Sequence, residues 1–251
     1  MDYSALQVGG NVVQLDGDNG SLRGGVAWTR GNSRIRPDAA DGYSSTTFDS
    51  DTLALYATWL QESGFYLDGT LSYSWHRGET DIARRQNVAK IKGKGWSASL
   101  ESGYPFALGG GLRLEPSAQL TYLHLGLDNF SDRDNLTVSY DDSHQTIGRV
   151  GAKLDRRWSD NSGRQYTPYL RTNYYKGWDS QAKTTIGAKG VDGLEQSFRS
   201  GKFGQMWEAG VGATTVFKNN VSLYAEADYR KEIDGNGGKG WGYNAGVRWR
   251  F

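Results

Sequence analysis

The sequence predicts an all-β fold, a transmembrane antiparallel up-and-down β-barrel, and three observations carry this prediction. Apolar and polar residues alternate along most of the chain, which is the period of a strand with one apolar face. The alternating segments run for roughly 9–14 residues, and a tilted strand needs about 9–11 residues to cross a bilayer. Short and long polar connections take turns between these segments, as they do in outer-membrane barrels.

Eleven alternating segments are predicted strands, and we expect essentially no helix. The last segment shows the pattern most clearly, because Tyr243, Ala245, Val247, Trp249 and Phe251 alternate with polar residues and glycine. The eleven segments are Ala5–Leu15, Ser21–Thr29, Thr52–Leu60, Phe65–His76, Gly95–Tyr104, Leu112–Leu125, Thr146–Arg157, Tyr166–Tyr175, Trp207–Phe217, Val221–Arg230 and Tyr243–Phe251.

The connections predict one tight end and one elaborated end of the barrel. The tight connections are Asp16–Gly20, Gln61–Gly64, Pro105–Gly111, Trp158–Gln165 and Lys218–Asn220. The long polar loops are Arg30–Asp51, Arg77–Lys94, Gly126–Gln145 and Lys176–Gln205, with Lys231–Gly240 as a shorter member. In outer-membrane barrels the tight end is periplasmic and the elaborated end is extracellular.

The composition excludes several other classes of protein. Lys+Arg 29 and Asp+Glu 28 give the 251 residues a net charge of +1, whereas a nucleic-acid-binding protein would carry a basic excess. The chain has no cysteine, which excludes disulfides and thiolate metal sites, and we expect no cofactor. A mean hydropathy of −0.67 alongside 9 Trp, 15 Tyr and 8 Phe fits a barrel with an apolar belt and a wet lumen.

Tryptophan positions favour a membrane barrel over a soluble β-sandwich. Eight tryptophans fall near predicted strand ends, where amphipathic rings favour the membrane–water boundary. They are Trp28, Trp59, Trp75, Trp96, Trp158, Trp207, Trp241 and Trp249. A sandwich would turn about every 8–12 residues and use shorter strands.

Short segments in order along nearly the whole chain carry a resemblance to a known family. They are Ala5–Asn11, Leu55–Trp59, Gly64–Gly69, Leu114–Tyr122, Pro168–Arg171, Trp207–Gly212, Ser222–Glu226 and Val247–Phe251. Together they resemble the translocator (β-) domain of monomeric type V autotransporters of Gram-negative bacteria, in the pertactin-like group.

The resemblance implies a fold, a location and partners. It implies one outer-membrane barrel domain over residues 1–251, a monomer with 12 strands and an α-helix threading the pore. Its function would be to carry its own N-terminal passenger to the cell surface. Its partners would be membrane lipid, that passenger, the outer-membrane barrel assembly machinery and periplasmic chaperones. Since eleven strands are readable, either the first strand and the helix lie upstream of Met1, which we favour, or Lys176–Gln205 hides another strand.

Charged residues are predicted on the lumen face of the strands. Both signs are mixed, which would keep the pore hydrated or brace the wall through ion pairs. The full set is Glu101, Arg113, Glu115, Arg149, Lys153, Arg171, Glu208, Glu226, Asp228, Arg230, Arg248 and Arg250. The strongest candidates for pore-lining charges that act in transport are Arg113, Glu115, Glu208, Glu226, Arg230 and Arg248.

The last strand is the second candidate site. Tyr243, Val247, Trp249 and the terminal Phe251 resemble the C-terminal signal that the assembly machinery recognises. A free edge strand with alternating apolar residues can pair with another sheet edge. The alternative is an ordinary last strand that closes the barrel.

Two other functions remain as alternatives, a small porin and an outer-membrane hydrolase. We expect no catalytic residues, because the spacing of the three histidines requires no active site. The candidates for a hydrolase are His76 or His144, with Ser74 or Ser143 as nucleophile and Asp81, Asp141 or Asp142 as orienting group. A porin would form a persistent open pore without a passenger.

Overall fold

The computed structural model describes residues 2–36, 44–82, 85–132, 135–178, 182–199, 203–217, 221–234 and 238–249. These residues form strands and turns. Among them, no helix is long and apolar enough to cross a membrane. The strands are β1 (Asp2–Gly17), β2 (Gly20–Ile35), β3 (Ser44–Gln61), β4 (Tyr66–Ile82), β5 (Arg85–Gly103), β6 (Phe106–Gly109), β7 (Leu112–Leu127), β8 (Phe130–Ser131), β9 (Leu136–Tyr140), β10 (Ser143–Arg156), β11 (Trp158–Ser159), β12 (Gln165–Trp178), β13 (Lys183–Ala188), β14 (Val191–Arg199), β15 (Gln205–Val216), β16 (Val221–Glu232) and β17 (Lys239–Trp249).

The main sheet is a curled antiparallel wall in which each long strand pairs with the next long strand. Its order is β1-β2-β3-β4-β5-β7-β10-β12-β15-β16-β17, so eleven strands follow one another as predicted. The short β6 and β11 add to β7 and β12 at the tight end. Among the described residues no ladder joins β1 to β17, and these strands form the two lateral edges.

The two faces of the wall have opposite chemistry. Leu55, Leu120 and Leu170 on one face are 52%, 55% and 58% exposed, whereas Asp155 and Glu208 on the other face are each 1% exposed. A soluble protein buries its leucines and exposes its carboxylates. The reverse arrangement is that of a barrel with a lipid-facing apolar surface and a polar lumen, as the alternation predicted.

The predicted loops Arg30–Asp51 and Arg77–Lys94 are wrong in extent. β2 continues to Ile35, β3 begins at Ser44, β4 continues to Ile82 and β5 begins at Arg85. Ladder hydrogen bonds pair these extensions directly, for example Asn32 with Asp49. The strands therefore extend beyond the apolar band of the wall. Their polar ends were predicted as loops because the apolar–polar alternation is lost there.

The loops Gly126–Gln145 and Lys176–Gln205 are also more ordered than predicted. They contribute β8, β9, β13 and β14 to a separate four-stranded sheet in the order β14-β13-β9-β8. Because β13 and β14 pair within this sheet, the alternative in which Lys176–Gln205 supplies another wall strand is wrong. The first part of that segment instead extends β12 to Trp178.

Glycines let lumen-facing side chains cross a neighbouring strand. Tyr169 on β12 lies opposite Gly212 on β15, which in turn lies opposite Glu226 on β16. A Cβ added at Gly212 would stand 2.4 Å from the Tyr169 ring. The missing side chain therefore gives the Tyr169 hydroxyl its route to the Glu226 carboxylate, 2.7 Å away.

Outward-facing aromatic rings border the elaborated end. They pair across or along strands, with ring centroids 4.8–5.4 Å apart. The pairs are Tyr73–Trp75, Trp96–Tyr122, Tyr174–Trp207 and Tyr229–Trp241. We call this set, with Trp28 and Trp178, the outer girdle; Trp178 was missed because it was assigned to a loop. Trp59, Tyr104 and Trp158 lie at the tight end, so aromatic residues mark both ends of the wall.

Candidate functional site

Glu208 on β15 is, with Asp155, one of the two fully buried charges among the described residues. Its side chain is fully buried and accepts contacts from two guanidinium groups. The Arg171 Nη1–Glu208 Oε1 distance is 2.8 Å, and the Arg230 Nε–Glu208 Oε2 distance is 2.6 Å. The Asn173 amide donates to the same carboxylate at 2.7 Å, and the Tyr175 hydroxyl donates at 3.2 Å. Four donors thus compensate the desolvation of one buried carboxylate.

The two guanidinium groups at Glu208 extend the network onto β16. Arg171 Nη2 donates to Glu226, and the Tyr169 hydroxyl binds the other oxygen of that carboxylate. Arg230 Nη2 lies 3.0 Å from Asp228 Oδ1. Arg171 reaches β16 because Gly210, its partner on β15, has no side chain to block the way.

Arg149 on β10 carries the network in the other direction. Its guanidinium contacts Glu101 at 2.9 Å and donates to Asn173 at 2.9 Å. The Tyr66 hydroxyl donates to Glu101 at 2.8 Å. A continuous chain of polar contacts therefore runs around the lumen from β4 to β16. We call it the charged belt; its members are Tyr66, Glu101, Arg149, Tyr169, Arg171, Asn173, Tyr175, Glu208, Glu226, Asp228 and Arg230.

Two further ion pairs lie nearer the tight end, between β7 and β10. Arg113 binds Asp155 with both Nε and Nη2, at 2.9–3.1 Å. Lys153 Nζ lies 2.9 Å from Glu115 Oε1. The Asp155 side chain is fully buried, so Arg113 is its compensating charge. Such a bidentate pair fixes geometry as well as charge.

Removal of Asp155 tests this tight-end pair. We expect Asp155→Ala to lower the free energy of unfolding by about 3–5 kcal/mol, because it leaves the half-buried Arg113 without its partner. Urea titration of the barrel in lipid vesicles, followed by tryptophan fluorescence, measures the change. Asp18→Ala in an exposed turn is the matched control and is expected to change stability by less than about 0.5 kcal/mol. Equal effects of the two substitutions would show that the pair has no structural role.

The lumen face of β3 to β5 is uncharged over much of its length. Hydroxyl groups pair across these strands, with Thr52–Ser74 at 2.8 Å and Ser72–Ser97 at 2.7 Å. The lumen is therefore asymmetric, with small hydroxyl side chains on one arc and the charged belt mainly on the other.

The structure sorts the predicted pore-lining charges into three groups. Glu208, Glu226 and Arg230 meet within the charged belt. Arg113 and Glu115 belong to the two separate tight-end pairs. Arg248 lies on β17 opposite Ser222, exposed and without an ion pair among the described residues.

The predicted C-terminal signal is only partly within the described residues. Tyr243, Val247 and Trp249 share one face of β17 and are 79%, 71% and 67% exposed. Phe251 lies outside the described residues. β17 has a free edge in this structure, which is the property that strand pairing by another protein requires.

Asp155 and Asn173 take part in the lumen contacts but were not among the predicted pore-lining residues. Asp155 lies on the same face as Arg149 and Lys153, so the period of two could have identified it. Asn173 shares a face with Arg171 in the same way. Asn173 carries no charge, so a pattern of charged lumen positions does not include it.

The hydrolase candidates do not form an active site. The Ser74 hydroxyl pairs with Thr52, whereas the His76 ring binds Ser50 at 2.7 Å. Ser143 and His144 are adjacent on β10, so their side chains point to opposite faces of the strand. Within the described residues, no group of His, Asp and Glu could hold a metal ion.

A curled wall with an apolar outside and a lumen crossed by paired charges defines the class of outer-membrane β-barrels. The family is shown by sequence: the chain belongs to the Autotransporter beta-domain family, whose profile matches residues 1–228. Barrels of this family reside in the outer membrane of Gram-negative bacteria, and so does this one.

Curated relatives and solved structures agree with this assignment. The pertactin autotransporter of Bordetella bronchiseptica is 31% identical over 248 residues, 96% of this chain and 25% of the relative. The adhesin BmaC autotransporter of Brucella suis is 31% identical over 187 residues, 72% of this chain and 5% of that protein. The chain thus spans a quarter or less of the length of these relatives.

Two solved structures share the fold. The β domain of the Bordetella autotransporter BrkA superposes with a TM-score of 0.78 at 22% identity, covering 99% of this chain and 91% of that one. The transport unit of AIDA-I from Escherichia coli gives 0.84 at 17% identity, covering 99% and 82%. At these identities the likeness shows the fold alone.

Proposed function

We propose that this barrel is the pore through which a passenger polypeptide of the same precursor reaches the cell surface. The charged belt is the observation that supports the proposal most directly. Its acids and guanidinium groups bind one another, so this part of the lumen is polar and presents few unpaired charges among the described residues. An unfolded polypeptide in transit would find little to adhere to. We expect the chain to have no catalytic role of its own.

A further strand between β17 and β1 is part of this proposal. In an up-and-down wall of eleven strands the first and last run in the same direction, so antiparallel closure needs one more strand. Two lumen side chains support a strand beyond β17. Asp228 and Tyr224 both extend over glycines of β17, Gly242 and Gly246, toward the free edge. The buried Asp228 Oδ2 has no hydrogen-bond partner among the described residues.

The assembly machinery and periplasmic chaperones are proposed partners, acting on the free edge of β17. We expect Phe251→Ser to lower the amount of barrel assembled in the outer membrane at least tenfold, because the terminal aromatic side chain is part of the recognised strand. Fractionation of membranes and a gel-mobility assay for folded barrel measure it. Leu108→Ser in the exposed turn region of β6 serves as the control. If the Phe251→Ser variant assembles at the wild-type level, the last strand is not the recognised assembly signal.

Secretion itself is tested with a reporter. A precursor that carries a signal peptide, a protease-sensitive reporter domain and this barrel with the segment that precedes it is expected to place the reporter on the cell surface. Added protease would then remove the reporter from intact cells. A persistent open pore in planar bilayers with the reporter retained in the periplasm would instead favour the porin.

A further inference from the structure

The lipid-facing surface of the wall contains a groove of about 450 Å³. It crosses the strands from Leu67 on β4 to Trp178 on β12. Its depth comes from small side chains, because Ser102 and Ala118 lie where the neighbouring positions carry leucine, valine or aromatic rings.

The groove descends obliquely from the outer girdle. Gly148 lies opposite Lys176 on one side and opposite Leu120 on the other, and Leu120 lies opposite Leu100. On β12 the groove passes Lys176, which lies between the girdle rings Tyr174 and Trp178. On β5, Leu100 is four residues below the girdle ring Trp96, and the far end of the groove, at Leu67, lies opposite the tight-end ring Trp59, so the groove crosses the apolar band.

The upper end of the groove combines a cation with an aromatic wall. The Trp178 ring packs over Gly148, where an added Cβ would stand 2.6 Å from the ring. The Lys176 ammonium lies 5.9 Å from the centre of the same ring. Lys176 has no carboxylate partner among the described residues, and its ladder neighbours are Gly148 and Gln205.

We propose that this groove is a specific lipid site, in which one acyl chain of an outer-leaflet phosphorylated glycolipid lies along the apolar floor and Lys176 binds its phosphate. Charge complementarity selects the occupant: a cation without a partner stands at the membrane–water boundary, where the anionic headgroup of a lipid lies. Contact with the Trp178 ring limits the motion of the ammonium group. The elaborated end is extracellular, so the lipid belongs to the outer leaflet.

Native mass spectrometry of the detergent-solubilised barrel with added lipid tests the proposal. The probes are hexa-acylated diphosphorylated lipid A and phosphatidylcholine, which carries no net charge. We expect lipid A to bind more tightly. Lys176→Gln is expected to raise its apparent dissociation constant about fivefold and leave phosphatidylcholine binding unchanged. Lys231→Gln, at an exposed lysine of the same girdle level outside the groove, is the matched control and leaves both unchanged.

Filling the groove tests the acyl chain. We expect Ala118→Phe, and the smaller substitution Ala118→Leu, to weaken the binding of both lipids about tenfold or more. Ala57→Phe, on the outward face of β3, is expected to leave the binding unchanged. Gel mobility verifies that each variant is folded. Equal binding of the two lipids, an effect of Lys231→Gln equal to that of Lys176→Gln, or unchanged binding by folded Ala118 variants would each overturn the proposal. None of these outcomes would contradict the proposed secretion function, which is measured separately.

Discussion

Reversal of two carboxylates of the charged belt, Glu208→Lys with Glu226→Lys, is expected to prevent stable assembly of the barrel and export of a passenger. Arg171 contacts both carboxylates and Arg230 contacts Glu208. The double variant would place four cations together in an enclosed part of the lumen. Breaking one buried ion pair costs about 3–5 kcal/mol, and whole domains are stable by about 5–15 kcal/mol.

The folded fraction is measured by gel mobility with and without heating, and export by protease removal of a surface reporter. Glu62→Lys, the same change in an exposed turn, is the control and is expected to match the wild type. Adding Arg171→Glu to the double variant is expected to restore part of the folded barrel, since opposite charges then meet again. Normal assembly of the double variant would mean that the belt does not stabilise the wall.

Substitution of Gly212 by valine is the second change with a large expected effect. A Cβ at this position would stand 2.4 Å from the Tyr169 ring and 2.9 Å from the Ala225 carbonyl oxygen. The ring can rotate away, but the backbone oxygen cannot, and the hydrogen bond from Tyr169 to Glu226 is lost. We expect a loss of about 3–4 kcal/mol, the sum of overpacking and a charged hydrogen bond.

Urea titration in lipid vesicles measures the loss at Gly212. Gly240→Ala is the control, because an added Cβ at Gly240 meets nothing within 4 Å. Because Gly212→Val already removes the hydrogen bond from Tyr169 to Glu226, Tyr169→Ala is expected to cost much less stability in the Gly212→Val barrel than in the wild type. If Tyr169→Ala costs the same in both, the crossing of β15 by Tyr169 is not a source of the effect.

Local periodicity was enough to predict the eleven long strands of the wall and their faces. A residue's face depends only on its place in the alternation, so Glu208 and Val211 could be assigned to opposite faces from sequence alone. The extent of β2 to β5 could not, because the polar ends of those strands are held by ladder hydrogen bonds between main-chain groups. Nothing in the side chains of Asn32 or Asp49 distinguishes such an extension from a loop.

The contacts of the lumen required the structure for a different reason. Arg171 meets residues of β16, two strands away, because Gly210 leaves an opening on the strand between them. Such contacts depend on the register of three strands at once. The sequence predicted that these charges share a face, but the register decides that Arg171 binds Glu208 and Glu226 while Arg113 binds Asp155.

In the proposed secretion, the length of the hairpins at the elaborated end would set where the emerging polypeptide first meets open water. β3 has 18 residues, and β2, β4 and β5 have 16, 17 and 19. At about 3.3 Å per residue and a tilt near 40°, such strands rise roughly 45 Å, about 20 Å more than the apolar band of a membrane barrel. Along this side the exit stands clear of the sugar headgroups nearest the bilayer. In the proposed secretion, a passenger domain that begins to fold at this exit would do so away from the lipid surface.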